Sequence, residues 1–484
     1  MPDVAVVGSG PNGLAAAVTM ARAGLSVQLF EAAGTVGGGI RTAELTLPGY
    51  RHDVCAAVHP MALASPFFQA FELGRRIELL VPDVSYAHPL DGGRAGIAHR
   101  SLDRTVAGLG PDGPAWRRLM EPLLRRLDGI VDFTQDKLLR LPADPLAVAA
   151  FGLRVLAQGT PGWNVGFKSD VVPAMLTGVG AHAIGRLPSL ATSGAGLLLG
   201  VLAHAGGWPV PAGGSQAIAD SLADDLVAHG GEITVSHKVR SIAELKAATG
   251  ARAVIADVTP RALAAMAGDI LPPRYMRSLE SFRYGPGVFK VDFALSGPVP
   301  WIAPGVGRAP TVHLGGSRAA IAFAESEVLA GRHPENPYVL AVQPSVLDGS
   351  RAPAGHHTFW AYTHVPAGST RDCTEQIIAA VERHAPGFRD LILASRGQTA
   401  RDMGEYNANY IGGDISSGAV TLGQLLKRPV VSADPWRTPA AGLYLGSAST
   451  PPGPAVHGMG GWLAARSALK HSFGLPAPDL GMGA

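Results

Sequence analysis

At 484 residues, 47% of them hydrophobic, the chain can bury a large core and is expected to form two or three domains unless they interleave, which excludes a disordered protein. The balance of 40 Lys and Arg against 38 Asp and Glu, a formal charge of +2, shows neither a nucleic-acid footprint nor an acidic tail, so a small or lipophilic ligand is the expected partner. Only Cys55 and Cys373 are present, which excludes a disulfide framework and a Cys-x-x-Cys pair and fits a reducing cytoplasm.

Residues 4–7 are a short apolar run after Asp3, without the basic segment and cleavage site of a secretory signal, and they read as a strand. A glycine turn, a helix over 14–23 stopped by Gly24 and a strand over 26–30 complete one β-α-β unit. From 66 to 205 the pattern is mostly helical, with an amphipathic stretch at 116–131 and breaks at Pro142, Pro145, Pro161 and Pro173, which predicts a helical cap. Within it, 187–205 approaches membrane-spanning length but holds Pro188, Ser189, Thr192, Ser193, three glycines and His204, and lacks a cationic face. A buried or interfacial helix is expected there.

Residues 208–240 return to α/β character: a turn over 209–214, a helix over 215–229 stopped by Gly230 and Gly231, and a strand over 232–236. Apolar runs at 289–295, 311–314, 338–343 and 357–363, separated by Gly and Pro, predict an antiparallel sheet flooring a substrate cavity. A helix over 374–384 follows, and the chain closes as strand (442–445), glycine loop and helix (460–470). Two interleaved domains are expected: 1–65, 206–284 and 430–484 binding a dinucleotide, and 66–205 with 285–429 binding substrate, the helical cap being 66–205 and the sheet 285–429.

The turn Gly8-Ser9-Gly10-Pro11-Asn12-Gly13 is a G-x-G-x-x-G element directly after a strand and opening a helix, and Glu31 ends the next strand. Gly8 permits the tight turn, Gly10 lets backbone N–H groups approach a pyrophosphate, Gly13 allows close helix–strand packing, and Glu31 can accept from ribose hydroxyls. The helix N-terminus adds partial positive charge for the phosphates. This context predicts a dinucleotide site.

Next come Gly34-Thr35-Val36-Gly37-Gly38-Gly39-Ile40-Arg41-Thr42 and Pro48-Gly49-Tyr50-Arg51-His52-Asp53. Here the sequence resembles the phytoene-desaturase and amine-oxidase superfamily of flavoproteins, whose members follow the ribose Glu with a Gly-Gly-x-x-x-Thr element and a Gly-aromatic-x-x-Asp turn. The C-terminal run from Gly442 through Ser447, Ala448, Ser449, Gly453, Val456 and His457 to Gly458 and Met459 is similar to the carotenoid-desaturase ending, and the segment around Gly213, Gly214 and Val239 to that group's middle FAD segment. The resemblance implies an α/β fold in which a Rossmann-type FAD-binding domain is interleaved with a mixed α+β substrate domain carrying a helical cap. It implies FAD contacts from Gly8, Gly10, Pro11, Asn12, Gly13, Glu31, Ala32, Gly38, Gly39, Arg41, Thr42, Val239, Ser447, Ala448, Val456, His457, Gly458 and Met459. Gly39 stands where many relatives place Arg, Ser447, Ser449 and Ala455 replace glycines, and His457 replaces a frequent proline. A subfamily distinct from true carotenoid desaturases is expected.

Lys290, in Gly287-Val288-Phe289-Lys290-Val291-Asp292-Phe293, is similar to the lysine that in monoamine and polyamine oxidases reaches flavin N5 through water. The residues alone leave open that Lys290 turns to solvent or pairs with Asp292. His59, after the Gly-Tyr-x-x-Asp turn, and His457, in the flavin-proximal turn, are candidate general bases of near-neutral pKa, each open also to a structural role. His88, His204, His313 and the loop 407–414 carry no assignment. No cluster has metal-ligand spacing, and the lack of a second G-x-G-x-x-G argues against a bound nicotinamide. The expected protein is an FAD-dependent dehydrogenase or oxidase taking a hydride from an apolar or amphipathic small molecule and reoxidised by O₂, a quinone or another carrier. The residues also admit a redox-neutral isomerase or saturase and a binding protein with structural FAD. Peripheral membrane contact is left open.

Overall fold

The structure is a computed structural model and describes residues 1–482. Its first sheet has five parallel strands, in the order Leu443–Leu445, Ala253–Ala256, Val4–Val7, Val27–Phe30 and Glu232–Thr234. Every residue of Val4–Val7 and Ala253–Ala256 is buried, as continuous apolar runs require in a sheet covered on both faces. Helices Pro11–Arg22, Gln216–Ala228 and Met459–Ala468 pack one face through Leu14, Ile218, Leu222 and Ala464. Ile242–Thr249 and Pro260–Ala267 cover the other through Ile242, Leu245 and Leu263. The strand Ala253–Ala256, paired on both sides in this sheet, was not among the expected elements.

The second sheet has seven strands, in the order Ile392–Gln398, Gly287–Leu295, His357–Val365, Val339–Val342, Thr311–Leu314, Val84–Leu90 and Arg94–His99. Two expectations are corrected here. The sheet is mixed, because Thr311–Leu314 pairs with Val84–Leu90 in parallel. Two of its strands also come from the stretch expected to be helical. The signal there was a hairpin: Val84–Leu90 and Arg94–His99 flank Asp91-Gly92-Gly93, whose glycines take φ of +76° and +68°. The amphipathic stretch 116–131 is likewise two helices, Gly113–Leu124 and Leu127–Thr134.

Strand alternation gives the second sheet two unlike faces. Phe289, Val291, Phe293, Phe359 and Ala361 pack against the helix Thr374–Glu382 through Ile377 and Val381. Val288, Leu340, Val342, Trp360 and Tyr362 point the other way. Above that second face lie helices Pro145–Gln158, Val171–Gly180 and Leu190–Ala205, the last starting where Ser189 accepts from Thr192 N–H at 3.2 Å. Among the described residues, no helix is long and apolar enough to cross a membrane.

A buried arginine with two carboxylate partners pins the segments together. Arg351, fully buried, donates to Asp53 at 2.9 Å, Asp348 at 2.7 Å and the Pro211 carbonyl at 3.2 Å. Asp53 also accepts from Thr42 Oγ1 and Ser215 N–H, both at 2.7 Å.

Candidate functional site

The glycine turn forms one end of the site. Gly8 has φ of +97°, and a Cβ there would lie 2.9 Å from the Asp257 carbonyl oxygen. A Cβ on Gly10 would lie 2.7 Å from Asp257 Oδ2, and one on Gly13 2.0 Å from Gly8 O. Only glycine permits this approach of strand, turn and helix. Helix Pro11–Arg22 has no side-chain cap at Gly10, and the Gly13 N–H is taken by Asp257 Oδ2 at 2.9 Å. Burial, reinforced by the nearby Glu31, pushes the Asp257 carboxyl up to about 7, against the Gly13 N–H.

Glu31 is held by its neighbours. It accepts from Ser9 N–H at 2.9 Å, Ser9 Oγ at 2.5 Å and Ala33 N–H at 2.8 Å, and Arg41 stands 3.5 Å away. Arg41 itself donates to the Thr35 carbonyl at 2.6 Å and to the Tyr406 hydroxyl at 3.3 Å, while that hydroxyl donates to Gly38 O at 3.1 Å.

From this end one cavity of about 1410 Å³ runs to the second sheet and the helices above it. That exceeds the ~300–1,000 Å³ of a drug-sized ligand site, so it has room for a dinucleotide and a second molecule. Of the residues expected to contact FAD, Gly8, Gly10, Pro11, Asn12, Glu31, Ala32, Gly38, Gly39, Arg41, Val239, Ala448, Val456 and His457 line it. Gly13, Thr42, Ser447, Gly458 and Met459 stand behind the lining. Gly13 is spent on Asp257, Thr42 on Asp53, and Ser447 Oγ accepts from Ser449 N–H at 3.2 Å. Gly458 has φ of +69° and Phe67 against it, and Met459 N–H donates to His457 Nδ1 at 3.1 Å.

The three candidate catalytic residues are not equivalent. His457 uses both ring nitrogens on backbone, since its Nε2 lies 3.2 Å from Gly453 O. His59 Nε2 is 2.7 Å from Ser215 Oγ, whose own proton goes to the Ala56 carbonyl at 2.7 Å. His59 therefore donates from Nε2 and keeps a lone pair on Nδ1, which has no partner. Instead of the near-neutral values expected, burial pushes both histidines down to about 4.

Lys290 is 1% exposed and pairs with Asp292, two residues along on the same face. Its Nζ lies 5.0 Å from the Trp360 ring centroid. Trp360 and Tyr362 line the cavity; Lys290, the cross-strand neighbour of Tyr362 on the same face, lies against the Trp360 ring and does not reach the lining. Asp292 Oδ2 has no partner, His52 Nδ1 approaches Asp292 to 3.4 Å, and burial raises the Asp292 carboxyl.

Sequence reading missed Asp257. Its signal was an acidic residue ending an apolar strand, followed by the helix start Thr259-Pro260. The unassigned loop 407–414 packs here: Asn409 donates to Asp257 O and accepts from Thr259 N–H, each at 3.0 Å. Asn407, Ala408, Asn409 and Tyr410 line the cavity.

Glycines at each close approach, an acidic strand end and a helix N-terminus with no side-chain cap from Gly10 fit the AMP half of a flavin dinucleotide. The family described as flavin containing amine oxidoreductase matches residues 12–342. Pyridine nucleotide-disulfide oxidoreductase domain-containing protein 2 of Rattus norvegicus is 25% identical, over 97% of this chain and 93% of its own. Among solved structures, a putrescine oxidase redesigned in cofactor binding superposes with a TM-score of 0.61 at 18% identity, covering 97% of this chain and 98% of that one. Cyclohexylamine oxidase from Brevibacterium oxydans gives 0.57 at 15% identity, with 97% and 98% covered. The chain belongs to the flavin-containing amine oxidoreductase family. It is an FAD-dependent oxidoreductase with the mixed α/β fold of amine oxidase-type flavoproteins.

Proposed function

We propose that this enzyme takes a hydride from an apolar or amphipathic small molecule held on the second sheet, forming C=C or C=N. The observation that carries this reading is the single cavity joining the glycine turn to a chamber walled by Leu198, Leu340, Val342, Trp360 and Tyr362. FAD, when bound, supplies the hydride acceptor and returns the electrons to O₂ or another carrier. In this reading Glu31 accepts the ribose hydroxyls, the N–H groups opening helix Pro11–Arg22 face the pyrophosphate, and Val239 offers backbone to the adenine. Segments 1–65, 206–284 and 430–484 form the cofactor domain, and 66–205 with 285–429 the substrate domain.

His59 is the proposed proton acceptor, because its Nδ1 lone pair is free and the neutral ring is the resting form at pH 7. His457 holds the turn before Met459–Ala468, with both ring nitrogens spent on backbone. Lys290 with Asp292 fixes the charge beneath Trp360. The test is anaerobic addition of isoprenoid, fatty and amine compounds to the FAD-loaded enzyme. A compound that is a substrate bleaches the visible flavin absorbance, and no bleaching across all three classes rejects the reading.

A further inference from the structure

Two of the histidines without an assignment meet a third at one edge of the chamber floor. His313 lies on Thr311–Leu314, His88 on the neighbouring Val84–Leu90, and His182 in the turn Ala181–Ala183 that follows helix Val171–Gly180. The Nε2 atoms of His182 and His313 are 2.7 Å apart, and His88 donates from Nε2 to Gly316 O at 2.9 Å. Tyr338 stacks on His313 with ring centroids 6.3 Å apart, and Trp208 meets His182 edge-on at 5.6 Å. The packing admits only glycine at 178, where a Cβ would lie 2.7 Å from His88 Nδ1.

Proton positions follow from the available acceptors. Burial holds His182 down to about 3 and His313 well below its ordinary value, so both rings are neutral at pH 7 and carry one N–H each. His313 Nδ1 is buried without a partner, and a proton there would be left unsatisfied at a cost of about 1–3 kcal/mol. The His313 proton therefore sits on Nε2 and is donated to His182 Nε2. His182 must then carry its own proton on Nδ1. His182 is only half-buried and lines the cavity, so this N–H is available to a ligand.

A second polar group lines the same cavity. Thr311 shares a strand face with His313, roughly 7 Å along at the usual rise for two residues. Thr311 is 1% exposed, lines the cavity and has no partner for its hydroxyl. Around the pair the floor is Leu340 and Val342, the direct cross-strand neighbours of His313 and Thr311. The carboxylates lining the cavity belong to its other end: Glu31 and Asp257 at the glycine turn, and Glu405 next to Tyr406, which reaches Gly38.

We propose that His182 Nδ1–H and the Thr311 hydroxyl form a head-group site for a neutral oxygen acceptor, a carbonyl or hydroxyl, at the end of an apolar substrate. Pure hydrocarbons leave both groups unmet, and an alkylammonium, which has only donors, faces an N–H. His313 acts as a positioning residue, since its donated proton fixes the His182 tautomer. The inference rests on the chamber being the substrate site.

The experiment measures binding of 2-octanone, 1-octanol, octane and octylammonium to the FAD-loaded enzyme by tryptophan fluorescence. His182→Phe is expected to lower the ketone-to-octane affinity ratio about tenfold, the worth of one hydrogen bond, with octane affinity unchanged. Thr311→Val lowers the ratio less, and His182→Asn, which keeps an N–H donor, retains part of it. In ¹⁵N-histidine spectra His182 is expected as the Nδ1–H tautomer, and His313→Leu releases it to a mixture that His313→Gln restores. An unchanged ratio in His182→Phe, tightest binding by octylammonium, or an Nε2–H tautomer at His182 overturns the proposal. If octane binds without a preference disturbed by these variants, the head-group site alone fails; if none of the four probes binds and no compound bleaches the flavin, the chamber reading fails with it.

Discussion

At the glycine-turn end the cavity wall is backbone, whereas at the chamber end it is side chain. Gly8, Gly13 and Gly38 bring main chain against main chain and Gly10 makes room for the Asp257 carboxylate, so little there can change without a clash. The floor is instead two cross-strand rows, Lys290–Tyr362–Leu340–His313 and Asp292–Trp360–Val342–Thr311. Each row runs from a charged residue through aromatic and aliphatic ones to a hydrogen-bonding one. A wall of backbone fixes one common ligand, and a wall of side chains can be rewritten for different substrates without disturbing the first.

The severest break falls at the backbone end. Gly13→Ala puts a methyl 2.0 Å from Gly8 O, and FAD retention on purification is expected to fall at least about tenfold, read from the visible absorbance ratio. Next is the pin between the two ends. Arg351→Met leaves Asp53 and Asp348 buried without their cation, and ~3–5 kcal/mol of stability is expected to be lost in urea melts.

At the floor, Lys290→Met strands the buried Asp292, a loss of about 3 kcal/mol that Lys290→Met with Asp292→Leu recovers. If the pair only supports the floor, the double variant also regains the wild-type rate of flavin reduction; if its charge matters to the chemistry, stability returns and the rate does not.

Asp257 sharpens the comparison by pH. Its folded value, about 7, lies above the ordinary 3.8, so the folded protein holds this proton to higher pH than the unfolded chain. The associated stability is present in full below about pH 4 and is lost as pH rises through 7. Asp257→Asn is therefore expected to gain on wild type in apo-protein melting temperature between pH 4 and 8. It should also remove the weakening of FAD binding that an ionised Asp257 brings to a pyrophosphate above pH 7.

The smallest effect is expected outside the cavity. Leu146, Leu153 and Leu156 are exposed on helix Pro145–Gln158, and Leu156 also borders the cavity. Leu153→Ser is expected to shift stability by no more than ~0.5 kcal/mol. If this face meets lipid, the same change lowers cosedimentation with phosphatidylcholine vesicles.

Local physics made the backbone end legible in sequence. A strand, a G-x-G-x-x-G turn with Pro11 opening the helix, and Glu31 at the next strand end are fixed by neighbours within 31 residues. Even there Asp257 escaped, because its partner Gly13 is 244 residues away. Apolar runs bounded by Gly and Pro also marked strands at 289–295, 311–314 and 357–363. Such runs cannot say which strands are neighbours. Val84–Leu90 entered the sheet in parallel from a stretch that read as helical, and that pairing brought His88 beside His313.

The sequence by itself determined the dinucleotide turn, the acidic strand end and the apolar strands of the second sheet, since each depends on backbone sterics or on composition within a few residues. Only the tertiary structure decided that Lys290 pairs with Asp292 against Trp360, that His59 Nδ1 has no partner while both ring nitrogens of His457 do, and that His182 lines the chamber with its Nε2 on His313. Those outcomes turn on which hydrogen-bonding groups burial leaves without water, and that is settled by partners far apart in the chain.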